Sequence, residues 1–397
     1  MFNIAPWGGL HENVLYSCLG LKRRGWDITV ACKSGPLVQR LVDEGIDVHV
    51  VGDWTDWAND AKVLARRRWD VVHSHPFASR LLALWVAGTT GAPLISTFHG
   101  MYLDGVSTWA DRVTTFMAVS PAHAQMLIDT EAIDPSRMVV VPNGVRDELL
   151  TKPMKSLNDK TTGGLARVVV ASRIDNDKSI PLFKCIDAIC DALSHIVNGP
   201  DWTIQLAGSG SALAQTTDFL RQQANKAANI RFEALGWVDS ERVPDLMRGA
   251  VLSVASGRGA AQSLAVGTPA VSFGSKGVYG LQHGQNLALG LWANFGEYPL
   301  EDGRITPIAP DISVLLSGAS NYTRVQTEGR DAVRTRLLQS DADRALSQIY
   351  EAALGRGTAI GPDTAGPSGA RAPQSDGAAA PRADRPVSAD AANPDSE

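Results

Sequence analysis

Cysteine is scarce in this chain: four among 397 residues, Cys18, Cys32, Cys185 and Cys190. No two of them stand in Cys-x-x-Cys spacing, and each sits in an apolar segment. A disulfide framework or a thiolate zinc site finds no support there. The four read as buried thiols in a reducing cytosol. No apolar run approaches the roughly 18 residues that make a membrane-spanning helix. The N-terminus lacks the charged-then-apolar order of a secretion signal. Neither sign of charge dominates: 37 Lys and Arg face 42 Asp and Glu, a net charge of −5. No global basic field therefore draws the chain onto nucleic acid. The expected location is cytoplasmic, with peripheral contact at the inner membrane face as a variant. The local basic cluster Arg66-Arg67-Arg68 motivates that variant.

What the chain does have is length and apolar content. At 397 residues and 44% hydrophobic, it can fill two cores. Two domains of roughly 150–200 residues each are expected. Short, nearly continuous apolar runs at 27–32, 47–51, 70–73, 93–97, 116–120 and 138–141 suit a parallel sheet covered on both faces. Between them lie amphipathic helices. After Gly8-Gly9, residues Val14, Leu15, Cys18, Leu19 and Leu21 share one face, and Gly25 supplies a stop. Met1 stands only seven residues before Gly8, so the first strand is expected to be short and the start truncated.

The pattern restarts near Ala166. Strands are expected at 167–171, 203–207, 230–234, 251–255 and 270–273, with a helix at 179–197. A second β-α-β series of this kind predicts two doubly wound, Rossmann-like α/β domains. The expected boundaries are 1–151 for the first domain, 152–165 for a polar linker and 166–330 for the second. A helical segment is expected at 331–354. The tail 355–397, rich in Gly, Ala, Pro, Asp and Ser, is expected to be disordered, because it offers too little apolar surface to offset its ordering entropy.

Three places suggest anionic ligands. Gly8-Gly9 precedes a helix whose N-terminus favours negative charge, although a tight strand–helix turn explains the same residues. Arg173 and Lys178 follow the first strand of the second domain, at the strand end where open α/β sheets bind ligands. Two cations there would stabilise a departing diphosphate without a metal. In isolation they also fit a solvated loop. In the stretch 255–269, a strand ends, a glycine loop turns through Gly257-Arg258-Gly259, and a small-residue helix begins.

Other residues have equal claims to ordinary roles. His99 alone reads as a structural histidine at a strand end. His73 and His75 have His-x-His spacing but no third ligand in the pattern. Asp175-Asn176-Asp177 spells Asp-x-Asp, yet it stands between Arg173 and Lys178, which favours direct phosphate contact over a metal. Arg66-Arg67-Arg68 reads as the basic end of a helix, or as contact with anionic lipid. Trp54 and Trp57 are open between core packing and a sugar-facing role.

The order of these pieces resembles the family-four retaining glycosyltransferases of GT-B fold. The matching pieces run through nearly all of residues 1–355. They are Gly8-Gly9, His73-Ser74-His75, Ser96 to Gly100, Ala118-Val119-Ser120 and Val141 to Val145. Ser172-Arg173 with Lys178, Leu206 to Gly210, and Gly267-Thr268-Pro269 follow. The resemblance implies that Gly8 and Gly9 approach the donor, that His99 contacts its sugar, and that Arg173 and Lys178 hold the diphosphate. Gly208 and the 257–259 loop would join the donor site. Gln262 stands where the family has a ribose-gripping glutamate, and Ser263 and Leu264 begin the helix under the phosphates.

Two departures stand out. Gln262 replaces the second glutamate of the family's pair, and Val254 occupies the place of the first. The expected activity is transfer of a sugar from a UDP- or GDP-type donor to a saccharide, lipid-linked or small-molecule acceptor, with retention implied by the family. No metal or other cofactor is expected. The rival is a non-catalytic nucleotide-sugar-binding partner of another transferase, with a same-fold epimerase as a third reading. On the sequence, Gln262→Glu is expected to lower the donor KM.

Overall fold

A computed structural model describes residues 1–356 apart from 5–6, 197–198, 301–302 and 304. The remainder of the expected tail, 357–397, lies outside the described residues, as does Val197 of the expected 179–197 helix.

The first half forms six short parallel strands: β1 (Thr29–Cys32), β2 (Asp47–Val50), β3 (Val72–Ser74), β4 (Leu94–Phe98), β5 (Thr115–Ala118) and β6 (Met138–Val140). β1 pairs with β2, and β3 to β6 pair in sequence order. All five residues of β4 are buried, which is why its apolar run shows no alternation. Between β1 and β3 lies only the stub Met1–Phe2. Phe2 N donates to Ala31 O at 2.8 Å, and the Met1 amine donates to His73 O at 2.6 Å. The stub bridges the two-stranded and four-stranded sheets by these hydrogen bonds, and the short first strand is reduced to a single bridge between Phe2 and Cys32. Two residues do not fill the gap between β1 and β3. A cavity of about 840 Å³ runs along it, lined among others by Trp26, Val30, Trp69 and Val72.

The second half builds a six-stranded sheet from β7 (Leu165–Ala171), β8 (Asp201–Ala207), β9 (Ile230–Gly236), β10 (Leu252–Ala255), β11 (Ala270–Gly274) and β12 (Gly277–Leu281). The order is β12-β11-β10-β7-β8-β9. All neighbours are parallel except the β11–β12 pair, which is antiparallel with a register shift at Ser272 and Phe273. β12 escaped the sequence reading because Gly277 and Gly280 give it the composition of a loop. Helix Asn176–Ser194 covers one face with Leu182, Cys185, Ile186, Ile189 and Leu193. All four cysteines are free and buried.

Two segments differ from expectation. Within 152–165, Ser156 and Asp159 form a capping box that starts the short helix Leu157–Lys160. Lys160 then plugs into the second domain, donating from Nζ to Thr268 Oγ1 at 2.8 Å and Gly267 O at 3.2 Å. The expected single helix over 331–354 is two helices, Ala319–Arg336 and Gln339–Ala353. They break at Leu337 and Leu338, where Val145 N donates to Leu337 O and Gln339 N to Val145 O. The last helix therefore leaves the second domain and packs on the first. Its Ser347 accepts from Trp26 Nε1 at 2.9 Å, and its Tyr350 hydroxyl lies 2.7 Å from His73 Nδ1. Gly20 of helix Gly9–Arg23 makes the close approach possible, since a Cβ there would lie 2.0 Å from the Asp343 carboxyl.

Candidate functional site in the interdomain cleft

The carboxyl ends of β7, β8 and β10 point toward the start of helix Gly9–Arg23 in the first domain. Beyond β7, Arg173 pairs with Asp175 at 2.6 Å, yet its side chain remains 60% exposed. Lys178, in the first turn of helix Asn176–Ser194, is only 12% exposed. Its Nζ donates to Ser256 Oγ at 3.2 Å, at the end of β10, and lies 3.8 Å from Glu297. The structure thus brings the two expected diphosphate cations to one end of the sheet.

Gly208 acts there by close packing. A Cβ on Gly208 would lie 2.1 Å from Ser172 O, and one on Gly210 would lie 2.2 Å from Ile174 O. Both glycines let the loop after β8 lie flat on the loop that carries Arg173. Gly257, with φ at +51°, turns the chain from β10 into helix Arg258–Ala265.

The remaining expected residues divide. Ser263 donates to Thr268 O at 2.9 Å and bonds Ser253 Oγ at 2.5 Å, so its hydroxyl is spent inside the second domain. Leu264 is core, packed close to Gly329. Arg258 and Gln262 instead face the first domain. Arg258 Nε donates to Glu12 Oε2 at 3.0 Å, and Gln262 Nε2 donates to the same oxygen at 3.2 Å. Arg258 Nη1 donates to Gly144 O at 2.5 Å, and its guanidinium lies 5.3 Å from the Tyr16 ring centroid. Gly9 sits just above, where a Cβ would meet Arg258 Cβ at 3.7 Å; Gly8 leaves open space, whereas a Cβ on Gly259 would meet Ala255 Cβ at 3.4 Å and Ala171 O at 3.5 Å. Trp7 Nε1 donates to Ser240 Oγ at 3.2 Å, a further contact between the halves.

His99 lies at the end of β4, with Nε2 2.7 Å from His75 Nδ1. Burial, reinforced by the charge of Arg80, drives its pKa down to about 3. It is therefore neutral at pH 7. Burial likewise lowers His123 to about 4 and carries His73 and His75 well below the ordinary histidine value. Arg80 stacks 3.8 Å over Phe98 and pairs with Asp104 at 2.6 Å, tying down the loop that follows His99. Polar atoms of this region that are buried without a well-formed hydrogen bond among the described residues include Arg80 Nε, His99 Nδ1, His123 Nε2, Asn143 Oδ1 and Arg258 Nη2, and Asn143 lies beside His99.

Among the described residues, no group of three His, Cys, Asp or Glu side chains is arranged to hold a metal. The oxygens of Asp175 are engaged by Arg173 and by Ser211 N. Arg67 pairs with Asp47 and donates to Thr29, and Trp54 and Trp57 pack half-buried against the first core. No helix of the described residues is long and apolar enough to cross a membrane. The sequence reading missed Glu12, Tyr16 and Glu297. A carboxylate on a helix has no local signature, and only the partner domain reveals that Glu12 is buried.

Comparison with known proteins agrees with this architecture. Residues 7–149 match the model of Glycosyltransferase Family 4. A curated Escherichia coli protein, UDP-Gal:alpha-D-GlcNAc-diphosphoundecaprenol alpha-1,3-galactosyltransferase, is 22% identical over 260 residues. That alignment covers 57% of this chain, and the chain spans 65% of that protein's length. Among solved structures, a glycosyltransferase from Rickettsia africae superposes with a TM-score of 0.68 at 17% identity, covering 89% of this chain and 97% of that one. Anabaena HepE in complex with UDP and glucose gives 0.64 at 15% identity, with 88% and 98% covered. A protein described as a putative UDP-N-acetylglucosamine 2-epimerase from Listeria monocytogenes gives 0.57 at 12% identity, covering 90% and 97%. The first domain thus matches the Glycosyltransferase Family 4 model over residues 7–149, and the described chain shares its overall fold with these solved glycosyltransferase structures.

Proposed function

We propose that this cleft transfers a glycosyl group from a UDP-sugar to a carbohydrate or lipid-linked acceptor. The observation that carries the reading is the placement of Arg173 just after β7 and of Lys178 against Ser256 at the end of β10, at the same end of the sheet. As the bond from the sugar's anomeric carbon to the diphosphate oxygen breaks, negative charge grows on the leaving group. Two cations held at that point stabilise it more than they stabilise the bound donor. Uridine is favoured over guanosine because HepE is bound to UDP in its structure. His99, neutral at pH 7 and buried beside Asn143, offers a hydrogen-bonding nitrogen to the donor sugar. Gln262 is assigned to the ribose.

The cleft carboxylates are engaged: Glu12 with Arg258, and Glu297 beside Lys178. A covalent glycosyl–carboxylate intermediate therefore has no free nucleophile among them. A front-face route, in which the leaving phosphate takes the acceptor's proton, accounts for retention with the groups at hand. The direct phosphate contacts make the reaction metal-independent. The fold shared with an epimerase keeps a second reading open, isomerisation of a nucleotide sugar without transfer.

Arg173→Ala and Lys178→Ala test the proposal. Each is expected to lower turnover a hundredfold or more, equivalent to about 3 kcal/mol of transition-state stabilisation. A thermal-shift screen of UDP-, GDP- and ADP-sugars identifies the donor first. Near-normal turnover in both folded variants overturns the assignment. Formation of an isomerised nucleotide sugar without transfer selects the second reading.

A further inference from the structure

Glu12 is the acidic group nearest Gln262, and it comes from the other domain. Its Oε2 accepts both from Arg258 Nε at 3.0 Å and from Gln262 Nε2 at 3.2 Å. All three residues are nearly buried, at 7% exposure each. A glutamine amide presents two donors on one side and one acceptor oxygen on the other. Donation to Glu12 fixes which end faces which way. The nitrogen is committed to the first domain, and Gln262 Oε1 carries no protein hydrogen bond among the described residues.

We infer that Glu12 is a positioning residue for donor recognition: it orients the Gln262 amide so that Oε1 accepts a ribose hydroxyl. The inference rests on the reading of Gln262 as the ribose-facing side chain. A carboxylate accepting from the amide nitrogen also polarises the amide and makes its oxygen a stronger acceptor. Glu12 further neutralises Arg258, which is otherwise a buried cation at the start of the same helix. The negative charge absent from position 262 is supplied from across the cleft. Ribose binding is thereby coupled to the seating of the two domains on each other.

The test is calorimetric titration of the full chain with UDP and with 2′-deoxy-UDP, alongside melting curves. Wild type is expected to bind UDP at least fivefold more tightly than the deoxy analogue. Glu12→Ala frees the amide to turn, so the preference is expected to fall below twofold, with UDP affinity reduced about tenfold. In the exchange variant Glu12→Gln/Gln262→Glu, a carboxylate faces the ribose directly and still neutralises Arg258. The preference is expected to return to the wild-type value or beyond. If Glu12→Ala does not fold, the exchange variant decides, and a folded exchange variant without the preference overturns the inference. A lower melting temperature in Glu12→Ala with the preference intact also overturns it and leaves Glu12 a strut between domains. If wild type binds both nucleotides equally, the reading of Gln262 fails and takes this inference with it. Absence of any UDP binding to wild type fails the proposed function itself.

Discussion

Gln262→Glu places a second carboxylate about 3.2 Å from Glu12 Oε2, where an amide nitrogen now donates. Two unit charges at that distance repel by about 5 kcal/mol at an effective dielectric of about 20. Arg258, 3.0 Å from Glu12, attracts the new charge and offsets about half of this. A hydrogen bond is lost as well. The net destabilisation is then about 2–3 kcal/mol near pH 7, equivalent to a fall in Tm of about 5 °C. The sign with pH follows from the crowding. One carboxyl of the pair has its folded pKa raised above the unfolded value, because like charges disfavour ionisation. The variant's deficit is therefore small below the unfolded carboxyl pKa and grows as pH rises through the folded one. Melting curves of both proteins from pH 4 to 8 should diverge upward in pH, and the variant's donor KM should rise. A variant at pH 7.5 that melts with wild type or above it refutes the reasoning.

Further perturbations have equally definite outcomes. Gly20→Ala drives a methyl into the Asp343 carboxyl, which must move off Arg23 and Gln339. A loss of about 1–3 kcal/mol is expected, read as a lower Tm. His99 and His123 have folded pKa values lowered by burial to about 3 and about 4. Their neutral forms are favoured in the fold, so stability is complete above the ordinary histidine value near 6.5 and drains away as pH falls toward 4. Tm should decline over that range, and His123→Gln should flatten the decline; an unchanged slope removes His123 from the account. Treatment with EDTA should leave turnover intact, and activity lost to the chelator but restored by Mn²⁺ or Mg²⁺ would return Asp175 to consideration as a ligand.

The apolar runs and the helical spacing determined most of the two sheets by themselves, because buried parallel strands leave a local signature. The 94–98 strand, the 165–171 strand and the first helix were legible to within a few residues. So were the turns after β7 and β10, with Arg173 and Gly257 on them and Lys178 in the helix turn that follows, since such a turn follows a strand end in sequence as well as in space. The β12 strand was not legible, because its glycines carry no strand pattern and pairing with β11 alone defines it. The break at Leu337 and Leu338 depends on Val145, nearly 200 residues away. Glu12 is the clearest case. Its local sequence marks it as a solvated residue in a first helical turn, where acids favour the dipole. Burial against Arg258 and Gln262 arises only when the second domain docks. A charge's partner across an interface is a property of the assembled surfaces, and it gives Gln262 an environment opposite to the one its place in the sequence suggests.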